Sequence, residues 1–288
     1  MNPVNFFEES EWKDFVEKLK KEVSPIPADE EFFIISLIDV LQQSLSKING
    51  KFTLLFSAGA DSTLLAVLSK KLNKNFELLS VGFENSEDIV LARKFAKDFK
   101  FEYREKILCC DEVFDAIKRI FPLFKNDEFV VKELACFEYL ALKESLPLVV
   151  TGTGCEEIFA GYNRHLRAEK PNEECWKGLE NIFWKRDLYR IKILSRIITK
   201  KIFFPFLDKK VMTLAMSMPS DFKIKNNFRK YIIARTLSHL GIPDDFAFRK
   251  KKAAQYGSGL DKFFAKLVKK RGLNKKKELF TQEFLNKL

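Results

Sequence analysis

The chain has 288 residues and is 46% hydrophobic, enough for one large globular core, with or without a small lobe. It carries 51 basic against 40 acidic residues, a formal charge of +11, which favours polyanionic ligands such as nucleotides, RNA or pyrophosphate. No apolar run approaches the roughly 18 residues of a membrane helix, the N-terminus lacks a secretory pattern, and the five cysteines include no C-x-x-C pair. A cytoplasmic protein without a membrane partner, disulfide framework or zinc knuckle is expected.

The first elements are helical. Trp12 to Val23 reads as an amphipathic helix, broken by Ser24-Pro25-Ile26-Pro27. Asp29 to Ile48 repeats apolar residues at helical spacing and stops at Asn49-Gly50. From there the pattern alternates. Strands are predicted at Phe52–Phe56, Phe76–Phe83, Phe101–Ile107 and Leu146–Thr151, and helices at Asp61–Lys71, Ser86–Phe99 (N-capped by Ser86), Asp111–Phe121 and Asn126–Ser145. Such β-α-β-α order predicts an α/β fold, a doubly wound parallel sheet with helices on both faces. Beyond Tyr162 the pattern is mostly helical. The predicted organisation is a helical N-terminal segment over 1–49, the main domain over 50–260 and a basic helical tail over 261–288. Lys266 to Lys277 is Lys-rich; a solvated helix face explains it, and a polyanion partner such as tRNA is the alternative.

Two segments carry chemistry. Ser57-Ala58-Gly59-Ala60-Asp61-Ser62 lies between a strand and a helix, so its backbone N–H groups and the helix dipole suit a phosphate. Ser57 and Ser62 add hydroxyls, and Asp61 adds a carboxylate suited to Mg²⁺. Thr151-Gly152-Thr153-Gly154-Cys155-Glu156-Glu157 is a second strand–turn–helix, whose carboxylates either cap the helix or hold a metal. Both lie at carboxyl ends of predicted strands, where open α/β sheets bind ligands. Cys155 lies at a helix N-terminus, where a thiol pKa can fall, and reads as structural rather than as a nucleophile. His165 and His239 have no ligand spacing and read as core or surface residues.

The first loop resembles the S-G-G-x-D-S pyrophosphate loop of the ATP pyrophosphatases, and the second resembles the S-G-E-G-S-D-E-x-F-G-G-Y signature of the asparagine synthetases. Pro205-Phe206-Leu207-Asp208, Lys230-Tyr231-Ile232-Ile233 and Arg249-Lys250-Lys251 followed by Gly257-Ser258-Gly259 resemble that family's later motifs, in family order. The resemblance covers about residues 50 to 260. It implies an adenine nucleotide alpha hydrolase-like (PP-loop) fold with a five-stranded parallel core, and activation of a carboxylate by ATP with release of pyrophosphate. It implies that Ser57, Gly59, Asp61 and Ser62 bind pyrophosphate, that Val81 and Gly82 receive adenine, and that Thr151 and Gly152 lie along the nucleotide. Asp61 and Glu156 would hold Mg²⁺, and Lys251, with Lys250 and Lys252 as the register alternatives, would be catalytic with Asp61. The family's glutaminase half is not seen before the loop, so ammonia, another amine or a partner glutaminase is expected to supply nitrogen. Thr153 stands where the family has a Glu near the reacting centre. Thr cannot act as a general base at neutral pH, which puts aspartate as the acceptor in doubt. A tRNA-modifying ATP pyrophosphatase and a non-catalytic nucleotide-binding protein are the alternatives.

Overall fold

The computed structural model describes residues 8–249 and 254–286. Two helices precede the sheet. Helix α1 (Glu9–Glu22) buries Trp12, Val16 and Leu19, spaced four and three apart, and the Trp12 indole donates to the Leu179 carbonyl at 2.8 Å. Helix α2 (Glu30–Ser46) is capped by Asp29, whose carboxylate accepts from the Phe32 N–H at 2.8 Å.

The core is a five-stranded, wholly parallel sheet: β1 (Phe52–Leu55), β2 (Phe76–Gly82), β3 (Tyr103–Ile107), β4 (Leu148–Val150) and β5 (Lys201–Phe203), in the order β3-β2-β1-β4-β5. The chain winds from β1 outward to β3, then returns across β1 to lay down β4 and β5. The reversal makes a switch point between β1 and β4, which pair Thr53 with Val149 and Leu54 with Val150. Phe52, Thr53, Leu54, Val149 and Val150 are all buried, as strands covered on both faces require.

The crossovers are helices α3 (Ala60–Lys71), α4 (Glu87–Asp98), α5 (Cys110–Ile120) and α6 (Phe129–Glu144). Ser86 does stand at the N-cap of α4, with extended backbone, but it makes no capping bond, which corrects the expected cap. Its hydroxyl is buried without a partner among the described residues and faces Gly82, where a Cβ would come within 2.8 Å.

After β4 come three short helices, α7 (Cys155–Ile158), α8 (Asn163–Arg167) and α9 (Pro171–Gly178), and a wide π-helical stretch over Leu179–Leu188 that runs into α10 (Tyr189–Ile198). Strand β5 was not separately predicted. Its three residues sit between Lys200 and Phe204, too short a run to show a period. Helices α11 (Lys209–Ser217) and α12 (Ser220–Lys223) lead to a two-stranded antiparallel ribbon, β6 (Ile224–Lys225) and β7 (Phe228–Arg229). Helices α13 (Tyr231–His239), α14 (Asp244–Ala247), α15 (Ala254–Gly257), α16 (Leu260–Lys270) and α17 (Gln282–Leu285) complete the described chain. Phe264 on α16 meets Phe280 edge-on at 5.6 Å, and both join the same buried core as the sheet.

Candidate active site

A cleft of about 230 Å³ opens at the carboxyl ends of β1 and β4 and extends beneath the loop after β1, between the sheet and α6. Ser57, Gly59, Asp61 and Ser62 line it from the first loop, Thr151, Gly152 and Thr153 from the second, and Val81 from the end of β2. Leu134, Phe137 and Ala141 of α6, with Ile191 of α10, form an apolar wall.

The first loop is held from inside. The Ser62 hydroxyl donates to the Gly59 carbonyl at 3.1 Å and accepts from the Ser57 N–H at 3.4 Å. Arg249 donates to the Ala58 carbonyl at 2.9 Å and pairs with Glu87 on α4. The two loops touch: a Cβ on Gly152 would lie 3.1 Å from the Asp61 Cβ. In the second loop the Thr151 hydroxyl donates to the Thr153 hydroxyl at 2.7 Å and accepts from the Thr153 N–H.

Charge is concentrated at one point beside these loops. The Lys230 ammonium donates to both carboxylate oxygens of Asp61 at 2.9 Å and to Glu156 Oε1 at 2.6 Å. Burial opposes its charge, but Asp61 and Glu156 outweigh burial and hold its pKa above the ordinary lysine value. The Cys155 thiol donates to Asp61 Oδ1 at 3.2 Å. Burial, then the Asp61 carboxylate, push that thiol well above the usual cysteine range, so it is a hydrogen-bond donor and not a thiolate.

Behind the loops lies a buried ionic network. Glu157 accepts from the Tyr162 hydroxyl at 2.5 Å and pairs with Arg186 at 3.2 Å. Burial and the nearby Asp187 raise its carboxyl to about 8. Arg190 makes a bidentate pair with Glu138 at 2.6 and 2.7 Å and also contacts Asp187. Glu138 lines the cleft, so this network supports its floor from α6 and α10.

The predicted site residues Ser57, Gly59, Asp61, Ser62, Val81, Thr151 and Gly152 therefore meet in one cleft. Gly82 does not line it; its α-carbon packs against Ser86 and the Ser258 carbonyl. Glu156 joins the cleft through Lys230. Lys251 lies outside the described residues.

A family model for asparagine synthase matches residues 37–201 and 201–288. The chain belongs to the asparagine synthase family. A Methanocaldococcus jannaschii protein named "Putative asparagine synthetase 1" (glutamine-hydrolyzing) is 31% identical, aligned over 85% of this chain and 52% of its own. The asparagine synthetases of Gallus gallus and Homo sapiens are 28% and 26% identical, over 70% of this chain and 39% of theirs. The chain thus spans about half the length, or less, of the curated relatives it matches. Among solved structures, the predicted subunit of tRNA methyltransferase from Methanocaldococcus jannaschii is similar at a TM-score of 0.34 and 20% identity, covering 69% of this chain and 92% of that one. A similarity that slight supports no argument.

Within the asparagine synthase family pattern, Ala58 and Ala160 stand at glycine positions, and both keep a glycine-like backbone, with φ of +50° and +55°. The left-handed conformation costs an L-residue on the order of 1 kcal/mol, so both turns are held by their surroundings. For Ala58 the Arg249 bond to its carbonyl is one such restraint. Lys230 opens the Lys230-Tyr231-Ile232-Ile233 motif, yet its role is not legible from that motif. A single lysine before an apolar helix signals nothing until the fold brings it 169 residues back to Asp61. Arg186, Arg190 and Glu138 were missed for the same reason, as helical charges whose partners are distant in sequence.

Proposed function

We propose that this asparagine synthase family member is an AMP-forming ligase. It activates a carboxylate with ATP, releases pyrophosphate and passes the acyl group to an amine. The observation that carries this reading is the convergence of Asp61 and Glu156 on one cationic point beside the small-residue loop at the sheet's switch point. Two carboxylates already holding one ammonium fit a divalent cation in its place. Among the described residues no cluster of three or more metal-ligating side chains exists, so phosphate oxygens and water would complete the coordination, as Mg²⁺ favours. Bound there, Mg²⁺ would neutralise charge developing on the phosphates.

In this reading Ser57, Gly59, Asp61 and Ser62 hold the pyrophosphate end with backbone N–H groups and hydroxyls, Val81 borders the adenine, and Thr151 and Gly152 flank the sugar and α-phosphate. Gly82 supports the adenine end by close packing. The attacking carboxylate oxygen forms a bond to the α-phosphorus as the bond to the β-phosphate oxygen breaks. The amine then attacks the acyl carbon, AMP leaves, and the amine gives up a proton. Lys251 is the residue proposed to offset the negative charge of both steps. The nitrogen is ammonia, free or delivered by a partner glutaminase, or another small amine, and the setting is cytoplasmic.

The deciding experiment uses ATP labelled at the α-phosphate, Mg²⁺, a panel of small carboxylic acids, and ammonium or glutamine in separate arms. Carboxylate-dependent AMP with equimolar pyrophosphate is expected. ADP as the only product would overturn the assignment.

A further inference from the structure

The positive charge of α16 is not used to hold the fold. Lys262, Lys266 and Lys269 are exposed, and among the described residues no carboxylate lies within 4 Å of their ammonium groups. Asp261, the one acid on this helix, pairs instead with Lys276 in the following segment. Positions 262, 266 and 269 are four and three residues apart, which places them in one stripe. The opposite face, Leu260, Phe264, Leu267 and Val268, is buried. The stripe rises roughly 10 Å along the helix, long enough to face more than one phosphate of a nucleic-acid strand. Arg271, Lys275 and Lys277 continue the charge beyond the helix, all exposed.

A second feature lies six residues before Lys262, on the short helix that precedes α16. Helix α15 connects the cleft to α16: Ala254 lines the cleft, and Tyr256, two residues on, is 53% exposed. An exposed aromatic ring close in the chain to a line of cations is the pairing that binds single strands, with the backbone on the cations and a base on the ring. An anionic membrane fits less well. The apolar face a lipid surface needs is already spent, since Phe263 stacks on Phe83 at 4.9 Å and Phe264 packs on Phe280.

We propose that the Lys262–Lys266–Lys269 face, with Tyr256 just before it in the chain, is a docking surface for single-stranded nucleic acid. It directs a strand toward the cleft mouth. The inference stands apart from the ligase chemistry, because neither the stripe nor Tyr256 belongs to the loops that hold ATP.

The test is fluorescence anisotropy of the whole protein with a labelled oligonucleotide of about 12 residues, in RNA and DNA arms, at several KCl concentrations. Binding that weakens with salt is expected in at least one arm. The triple variant Lys262→Glu, Lys266→Glu, Lys269→Glu should lower affinity in that arm at least roughly tenfold and reduce the salt slope by about 2. Tyr256→Ala should lower affinity roughly 5- to 100-fold. A matched reversal of the exposed Lys13, Lys18 and Lys21 on α1 changes net charge equally and should leave affinity within about threefold. Circular dichroism checks that each variant is folded. The proposal is overturned by equal losses in the α1 variant, by no binding in either arm at about 100 mM KCl, or by phosphatidylserine vesicles that bind the protein through the same three lysines as tightly as the oligonucleotide does.

Discussion

Lys230 Nζ lies 2.9 Å from each carboxylate oxygen of Asp61, a bidentate contact between the first turn of α3 and the residue just before α13. Glu156 closes on the same ammonium, so one lysine bridges two carboxylates that would otherwise repel. All three groups are partly exposed, which moderates the loss when the lysine is removed. Lys230→Met is expected to cost about 1–3 kcal/mol of stability. Millimolar Mg²⁺ should restore part of that loss in the variant and shift the wild type less, because the metal has no lysine to displace. Urea melts with and without Mg²⁺ measure both quantities, and an equal Mg²⁺ response in the two proteins would count against the shared site.

Gly161 leaves room for the Glu156 carboxylate. A Cβ at Gly161 would meet Glu156 Oε2 at 1.8 Å, inside any possible contact. The same Cβ would lie 2.9 Å from the Glu156 Cα, so Gly161→Ala must turn the Glu156 side chain away from Lys230 and also shift the backbone at the start of α7. The expected phenotype is a several-fold rise in the Mg²⁺ concentration needed for half-maximal pyrophosphate release, with the fold retained. An unchanged Mg²⁺ requirement would remove Glu156 from the metal site.

His165 is fully buried, its Nδ1 accepts from the Tyr162 N–H at 3.1 Å, and burial pushes its pKa down to about 4. The unfolded chain titrates near 6.5 and so binds the proton first as pH falls. The sign follows: this contribution to stability is complete above about pH 6.5 and is lost progressively toward pH 4, by up to about 3 kcal/mol. His165→Asn keeps an acceptor but cannot titrate. Its stability difference from wild type should therefore shrink as pH drops from 7 to about 4, which denaturant melts at stepped pH will show.

Thiol reactivity separates the cysteines. Cys109 and Cys110 are exposed, while Cys136, Cys155 and Cys175 are buried. A disulfide-exchange reagent should titrate two thiols in the native protein and five after denaturation. Fast modification of Cys155 in the folded protein would contradict its protonated state. Cys155→Ser should retain turnover within roughly threefold, since a hydroxyl can make the same bond to Asp61.

Much of the sheet was legible. The runs Phe52–Phe56 and Phe76–Phe83 are apolar enough to be buried on both faces, and the small-residue turns after β1 and β4 marked the cleft. The strand expected from Leu146 begins only at Leu148: Leu146 and Pro147 are apolar, yet the Leu146 N–H bonds to the Thr53 side-chain hydroxyl on β1 instead of to a backbone carbonyl. What stayed hidden was whatever depends on long-range pairing. Strand β5 is too short for a period, and the Lys230 contact with Asp61 exists only once α13 packs against α3. The Ser86 cap failed because the close packing around Gly82 buries its hydroxyl away from the helix N–H groups.

Strand β4 is only three residues long, yet it separates β1 from the edge strand β5. Until it arrives, β1 presents a bare edge of unpaired N–H and C=O groups, and the first 145 residues can form only the β3-β2-β1 half. Ribosomal synthesis delivers that half first. A nascent or truncated chain ending near residue 145 is therefore an adhesive intermediate, prone to pair with its own copies, and half a cleft cannot shield it. The element that completes the binding site also closes the edge most exposed to aggregation.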